Sequence, residues 1–205
     1  MMNCGQHPSF LVYGDKTAAA AFDLILFVGR EPQVDEDLVP GIGLYDFIEH
    51  PNCAFWNMAY RSVARVDGRS GFNTAALKRE CMERQASPIA FADALPLCLS
   101  DMNSARTKLE ARRKVTEERI EEHIDGILKL DIMQRVRLVV LSGHRVAGLE
   151  KACAIIPDRL NASRKAFVPT PFLYPTNSKA IDADLDLPST RERIGSILRH
   201  FRAAA

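Results

Sequence analysis

Side chains able to do chemistry lie just after short apolar runs in this 205-residue chain. Glu31 follows the first run, between Gly29 and Pro32, and Asp93 lies near the end of the second. Carboxylates at such points can take part in acid–base or electrostatic catalysis. A turn that begins at Gly143 follows the third run, and its backbone amides are candidates for holding a phosphate. Neither GxGxxG nor GxxxxGK[ST] follows any run, so a dinucleotide-binding or P-loop site is poorly supported.

The apolar runs predict four short, buried strands that must position these groups. The strands cover residues 22–28, 88–96, 136–141 and 166–169. Apolar residues at helical spacing fall in the segments 54–66, 73–85, 104–130, 145–156 and 189–201. This alternation predicts an α/β fold, a three-layer α/β/α sandwich with a central, mainly parallel sheet of about four strands. Ligands bind such sheets where the loops 29–51, 93–97, 142–145 and 169–179 leave the carboxyl ends of the strands.

Two of the predicted helices carry capping signals at their starts. Ser104 is a predicted N-cap, because serine favours that position. Ser189 and Glu192 have the spacing of a capping box, which places the start of the last helix at Ser189.

Composition favours a globular protein, which we expect to form a single domain over residues 1–205. Hydrophobic residues make up 47% of the chain and charged residues 26%, which excludes a disordered or coiled-coil protein. The apolar runs are far shorter than the ~20 residues of a membrane-spanning helix, and the start of the chain lacks a signal-peptide pattern. The five cysteines form no CxxC pair, so we expect reduced thiols in a cytoplasmic protein.

The order of several motifs resembles the uracil-DNA glycosylase superfamily, most closely its mismatch-specific branch. The Gly-x-x-Pro of that superfamily is matched by Gly29-Arg30-Glu31-Pro32. Further matches are Gly41-Ile42-Gly43, Phe47, His50-Pro51 and Phe55-Trp56, in that order. Residues 139–143 resemble a strand–glycine–helix element of the family, and residues 168–171 and 174–178 resemble its second motif. The resemblance spans most of the chain, and its first motif block is the specific part.

The resemblance implies hydrolysis of the N-glycosidic bond of a flipped-out damaged or mismatched base in DNA. The implied catalytic residues are Glu31, which would place the attacking water, and Tyr174, which would act on the leaving base. Phe47 would stack on the base and Asp93 would read its edge, with Gly29, Arg30 and Gln33 beside them. The implied DNA and phosphate contacts are Gly143, His144, Arg145, Thr170, Thr176, Asn177, Ser178 and Lys179. No metal and no organic cofactor is expected.

The sequence also departs from the family pattern. Glu31 is one methylene longer than the Asp or Asn of better-known members, and the second motif has no histidine. Either Thr170-Pro171 or Tyr174-Pro175 can be that motif. Glu31 can also be a solvated loop carboxylate. These departures leave an alternative open, namely a catalytically inactive module that binds a nucleotide or a partner on the same fold.

Charge is distributed unevenly, although 27 basic and 26 acidic residues nearly cancel. Residues 31–60 hold six acidic side chains and no Lys or Arg, whereas residues 143–179 hold six basic and two acidic ones. DNA carries a phosphate on every nucleotide, so a strand is expected to approach over the second segment. The basic residues there that we expect to face it are Arg145, Lys151, Arg164, Lys165 and Lys179.

Overall fold

The computed structural model describes residues 10–14, 21–30, 54–68, 73–97, 104–143 and 146–204. Within these residues the protein is an α/β sandwich around a five-stranded, mostly parallel sheet. The strands are β1 (Leu11–Gly14), β2 (Leu24–Gly29), β3 (Ala86–Asp93), β4 (Val136–Ser142) and β5 (Phe167–Thr170). Their order across the sheet is β1-β3-β2-β4-β5. The prediction of a mainly parallel sheet is confirmed, but the sheet gains an unpredicted edge strand, β1, which pairs antiparallel with β3.

Seven α-helices are found in the described part of the chain. They are α1 (Ala54–Asp67), α2 (Thr74–Arg84), α3 (Ala105–Lys114), α4 (Glu117–Leu128), α5 (Glu150–Ala162), α6 (Ser178–Leu185) and α7 (Pro188–Ala203). Helices α2, α6 and α7 pack against the sheet, and α4 packs on α5. Helix α1 packs on α2, α6 and α7, and its aromatic side chains contact Phe91 of β3. The central strands β2 and β4 are buried almost throughout, as expected for a parallel sheet that is covered on both faces.

Three predicted helix boundaries are wrong. The segment 104–130 is two helices, because Val115 turns into the core in extended conformation and the Thr116 side chain caps α4 by accepting from the Arg119 N–H. The helix after β4 starts at Glu150 and reaches Ala162. The last helix starts at Pro188 without a side-chain cap, so the Ser189 capping box does not form. The N-cap at Ser104 is confirmed, since its Oγ accepts from the Thr107 N–H.

A charged cluster links α7 to the edge of the sheet at which the parallel strands begin. Asp23, just before β2, is buried and accepts hydrogen bonds of 2.8 Å from Arg137 Nε and from His200 Nδ1. Burial alone would raise the pKa of Asp23, but the bonds from His200 and Arg137 outweigh it and hold the pKa below its ordinary value. This carboxylate therefore joins β2, β4 and α7.

Candidate functional site

The site lies where the chain changes direction across the sheet. From β2 the chain crosses to β3 on one side, and it then returns past β2 to β4 on the other side. Loops that leave β2 and β4 consequently diverge, and in open α/β sheets a ligand crevice forms at that point. Four strand ends meet this edge, at Gly29, Asp93, Ser142 and Thr170.

An aromatic cluster covers this edge. The Phe172 ring, after β5, stacks on Phe55 of α1 with centroids 5.8 Å apart and planes 27° apart. Phe55 and Trp56 in turn contact Phe91 of β3, at 5.8 and 6.2 Å between centroids. Phe55, Trp56 and Phe172 are only half-buried, so the cluster continues from the core towards the surface.

Arg30, the first residue after β2, contacts the Phe172 ring of this cluster. Its guanidinium carbon lies 4.2 Å from the centroid of the Phe172 ring, a cation–π contact. The Arg30 carbonyl accepts a hydrogen bond of 2.9 Å from the Leu95 N–H, so the chain after β2 stays tied to the chain after β3. The positive charge of Arg30 thus lies over the face of the Phe172 ring.

Gly29 allows the carboxylate of Asp93 to come close to the aromatic cluster. The two residues are paired in the β2–β3 ladder. A Cβ added at Gly29 would lie 3.2 Å from Cζ of Phe55 and 3.6 Å from Oδ1 of Asp93, so a larger residue would press on the ring. The Asp93 backbone is held from α4, because its carbonyl oxygen lies 2.9 Å from Nε2 of His123 and must accept from it. The structure therefore places Gly29, Arg30 and Asp93 at the same edge of the sheet.

The loop that follows β5 is clamped to the end of β4. Ser142 Oγ accepts from the Leu173 N–H at 3.0 Å, and the Gly143 N–H donates to the Thr170 carbonyl at 2.9 Å. Gly143 has a φ of +91°, and a Cβ there would lie 3.4 Å from the Phe172 ring. The single Gly143 N–H is thus already used, so a phosphate at this turn would have to find other donors.

The predicted second-motif residues have different environments. Thr170 is fully buried and its Oγ1 donates to the Pro171 carbonyl, which argues against the predicted phosphate contact. Asn177 is half-buried, and its Nδ2 donates to the Phe172 carbonyl at 2.9 Å, so it shapes the loop. Tyr174 is half exposed, Thr176 and Lys179 are exposed, and Ser178 is half-buried at the start of α6.

Five predicted site residues lie outside the described residues. They are Glu31, Gln33, Phe47, His144 and Arg145. Their roles therefore stay predictions from the sequence.

The chain matches no known protein-family model. No curated protein matches it either.

Phe172 was missed as a site residue by the sequence reasoning. Its position, two residues after buried Thr170 in the 169–179 loop, was the available signal. Phe55 was recognised only as part of a motif match, without a role. Both rings belong to the aromatic cluster at the candidate site.

The described residues contain neither a group of candidate metal ligands nor a candidate membrane-spanning helix. Among them, no three His, Cys, Asp or Glu side chains are grouped so that they could hold a cation. None of their helices combines the length and the apolar character needed to cross a membrane.

A separate cavity of about 460 Å³ lies at the other end of α1. Arg191, Arg199 and Arg202 line it together with Asp67 and Glu192. Arg202 is already committed to structure, since it donates to the carboxylates of Asp67 and Glu80. The cavity is remote from the aromatic cluster and is not part of the candidate site.

Proposed function

We propose that the protein is a uracil-DNA-glycosylase-like hydrolase that cleaves the N-glycosidic bond of a flipped-out base in DNA. The observation that carries the proposal is the stacked Phe172 and Phe55 pair, with the Arg30 guanidinium over Phe172 and the Asp93 carboxylate beside Gly29. This group stands at the crevice of the sheet. It combines flat apolar surface, one positive charge and one hydrogen-bond acceptor.

A nucleobase is the ligand class that fits these three features. Enzymes that work on a single base take it out of the stack and hold it between aromatic or apolar side chains while polar groups read its edge. A base can stack on an aromatic ring or on a guanidinium plane. In the proposed complex the base lies against the Phe172 and Arg30 surface.

Asp93 limits which base edge is accepted. An ionised carboxylate only accepts hydrogen bonds, so it pairs with an amino group or a ring N–H and not with a bare carbonyl. Uracil presents two carbonyls and one ring N–H, whereas cytosine-like and adenine-like edges also present an amino group. We therefore expect the preferred base to place a donor opposite Asp93.

The charges that develop during cleavage of the glycosidic bond give Arg30 and Glu31 complementary roles. Cleavage of the glycosidic bond builds negative charge on the departing base and positive charge on the sugar, and fixed charges at those points lower the barrier. Arg30 is the cation at the base side. Glu31 is adjacent in sequence and, on the resemblance, places the water and faces the sugar.

The catalytically inactive binding module remains the second candidate, and a specific observation favours it. The Gly143 N–H and the Asn177 amide, two donors expected to act on DNA or the base, both bond to backbone carbonyls of the 170–172 segment. Such a site could hold a nucleotide without activating its leaving group.

Release of free base from defined oligonucleotides separates the two candidates. Single-stranded and mismatched substrates that contain uracil, hypoxanthine, thymine or cytosine are incubated with the wild-type protein and with Glu31→Gln and Asp93→Asn. Asp158→Asn, which changes an exposed carboxylate on α5, is the matched control. The proposal expects release by the wild type and the control, and at least about a hundredfold slower release by Glu31→Gln. Binding of the same strands without any release would favour the inactive module.

A further inference from the structure

A basic helix, α3, stands at the same edge of the sheet as the candidate site. Its ten residues include five basic side chains and one acidic side chain, and the basic ones concentrate in the last turn. Arg106, Arg113 and Lys114 are exposed, whereas Arg112 is buried. The next helix, α4, has the reverse balance, with five acidic residues and one Arg. Of these two consecutive helices, α3 therefore carries the net positive charge.

Gly148, in the chain that follows β4, lies directly against α3. Gly148 has a φ of +88°, and a Cβ there would lie 2.9 Å from Cβ of Arg112, so the loop backbone lies directly on the helix. At the other end of this loop, a Cβ at Gly143 would lie 3.4 Å from the Phe172 ring. Gly148 thus contacts α3, and Gly143, five residues earlier in the chain, contacts the ring of the proposed base-binding surface.

The first turn of α5 holds the end of α3 in place. Lys151 Nζ donates to the Val115 carbonyl at 3.1 Å, which satisfies an end of the basic helix. Glu150 lies near Arg113: its pKa is below the ordinary value because of backbone hydrogen bonds at residues 150 and 148, with a smaller contribution from the Arg113 charge. Two acidic groups, Glu110 and Glu150, thus lie beside this basic surface.

We propose that α3 binds backbone phosphates of the DNA strand whose base enters the site, through Arg106, Arg113 and Lys114. This inference rests on the proposed function. It places phosphate contacts on α3, whereas the sequence alone led us to expect them in residues 143–179.

The geometry of α3 suits a nucleic-acid strand. Arg106 and Arg113 are seven residues apart on one face, so they are separated by about 10 Å along the helix. In B-form DNA that distance corresponds to about three nucleotides of one strand. Guanidinium groups bind phosphate oxygens in bidentate fashion, which favours Arg at such points. Arg106 bonds to Glu110 at 3.0 Å in an exposed pair, and pairs of this kind are weak enough to exchange for a phosphate.

Binding of an undamaged, fluorescein-labelled single strand tests the inference without using catalysis. Anisotropy titrations at several salt concentrations compare the wild type with R113Q/K114Q. The matched control is R193Q/R199Q, which removes two exposed positive charges from α7. Thermal denaturation checks that both variants are folded.

We expect R113Q/K114Q to bind the strand about tenfold more weakly than the wild type at ~100 mM salt. The magnitude of the slope of log K against log salt should fall by about 1.4. The α7 control should stay within about twofold of the wild type. Equal losses in the two variants, an unchanged slope, or equal competition by polyglutamate of the same length would overturn it.

The two proposals fail separately. A wild-type protein that releases base while R113Q/K114Q binds normally would overturn the role of α3 and leave the glycosylase proposal standing. Salt-sensitive binding that depends on α3, without release of any base, would support the role of α3 and overturn the glycosylase proposal.

Discussion

The guanidinium of Arg30 lies 4.2 Å from the centre of the Phe172 ring, and this contact joins the end of β2 to the loop after β5. Since β4 lies between these strands, the pair spans the end of β4. A loop from the middle of the sheet and a loop from its edge are thereby brought to one surface. That surface is what the proposed function uses.

The coupling between Arg30 and Phe172 is measurable. Arg30→Met and Phe172→Leu keep side-chain bulk but remove the cation or the ring. A double-mutant cycle on the free energy of unfolding in urea should give a coupling of about 1 kcal/mol, as expected for a partly exposed cation–π pair. A coupling within ~0.3 kcal/mol of zero would show that the contact does not hold the two loops together.

Asp93→Asn should change which base is released. The amide offers a donor as well as an acceptor, so it can face a carbonyl that the carboxylate disfavours. We expect the ratio of uracil release to release of an amino-bearing base to rise by at least about tenfold, which corresponds to one hydrogen bond. Unaltered selectivity, judged beside Asp158→Asn, would remove Asp93 from base recognition.

Acid stability depends on Asp23. Its folded pKa is below the unfolded value of about 3.9, so its contribution is complete above that value and is lost as pH falls through the folded pKa. Asp23→Asn should cost about 2 kcal/mol at pH 7, because Arg137 and His200 lose a charged partner. The difference between wild type and variant, followed by urea denaturation, should narrow below about pH 4. A difference that stays constant down to pH 2 would contradict this assignment.

Replacement by alanine should change the stability of the protein in opposite directions at two glycines. Gly148→Ala places a Cβ 2.9 Å from Cβ of Arg112 at a φ of +88°, so it should cost about 3 kcal/mol. Gly195 lies inside α7, and its new Cβ would meet only the mobile end of Arg199 at 3.4 Å. Gly195→Ala should therefore stabilise the protein by up to about 1 kcal/mol, through helix propensity. A Gly148→Ala protein that melts at the wild-type temperature would refute the close contact of Gly148 with α3.

The strands that the sequence predicts well are those with continuous apolar runs. β2 and β4 are buried on both faces, so their residues 24–28 and 138–141 had to be apolar throughout. β1 carries only four residues, Leu11–Gly14, on one edge, and so short a segment leaves no periodic signal. Pro88 was taken as the start of a strand. It instead lies inside β3, where the ladder to β1 is irregular between Val12 and Gly14, and a missing N–H is tolerated.

The candidate site was predictable only in part, for a physical reason. Strand ends are local features, so Gly29, Arg30 and Asp93 could be placed at one edge from the apolar runs alone. Phe55 and Phe172 are 117 positions apart, and their stacking depends on how α1 and the β5 loop pack on the sheet. The commitment of Asn177 and Gly143 to backbone carbonyls likewise depends on tertiary contacts.

The most direct test of the central claim is mass-spectrometric detection of free base, together with the matching abasic strand, after incubation with base-modified single-stranded oligonucleotides. The proposed function predicts equal amounts of both products with the wild type, and loss of both with Arg30→Met and with Glu31→Gln. An intact strand with every base tested, at protein in excess over DNA, would contradict the proposal of a glycosylase.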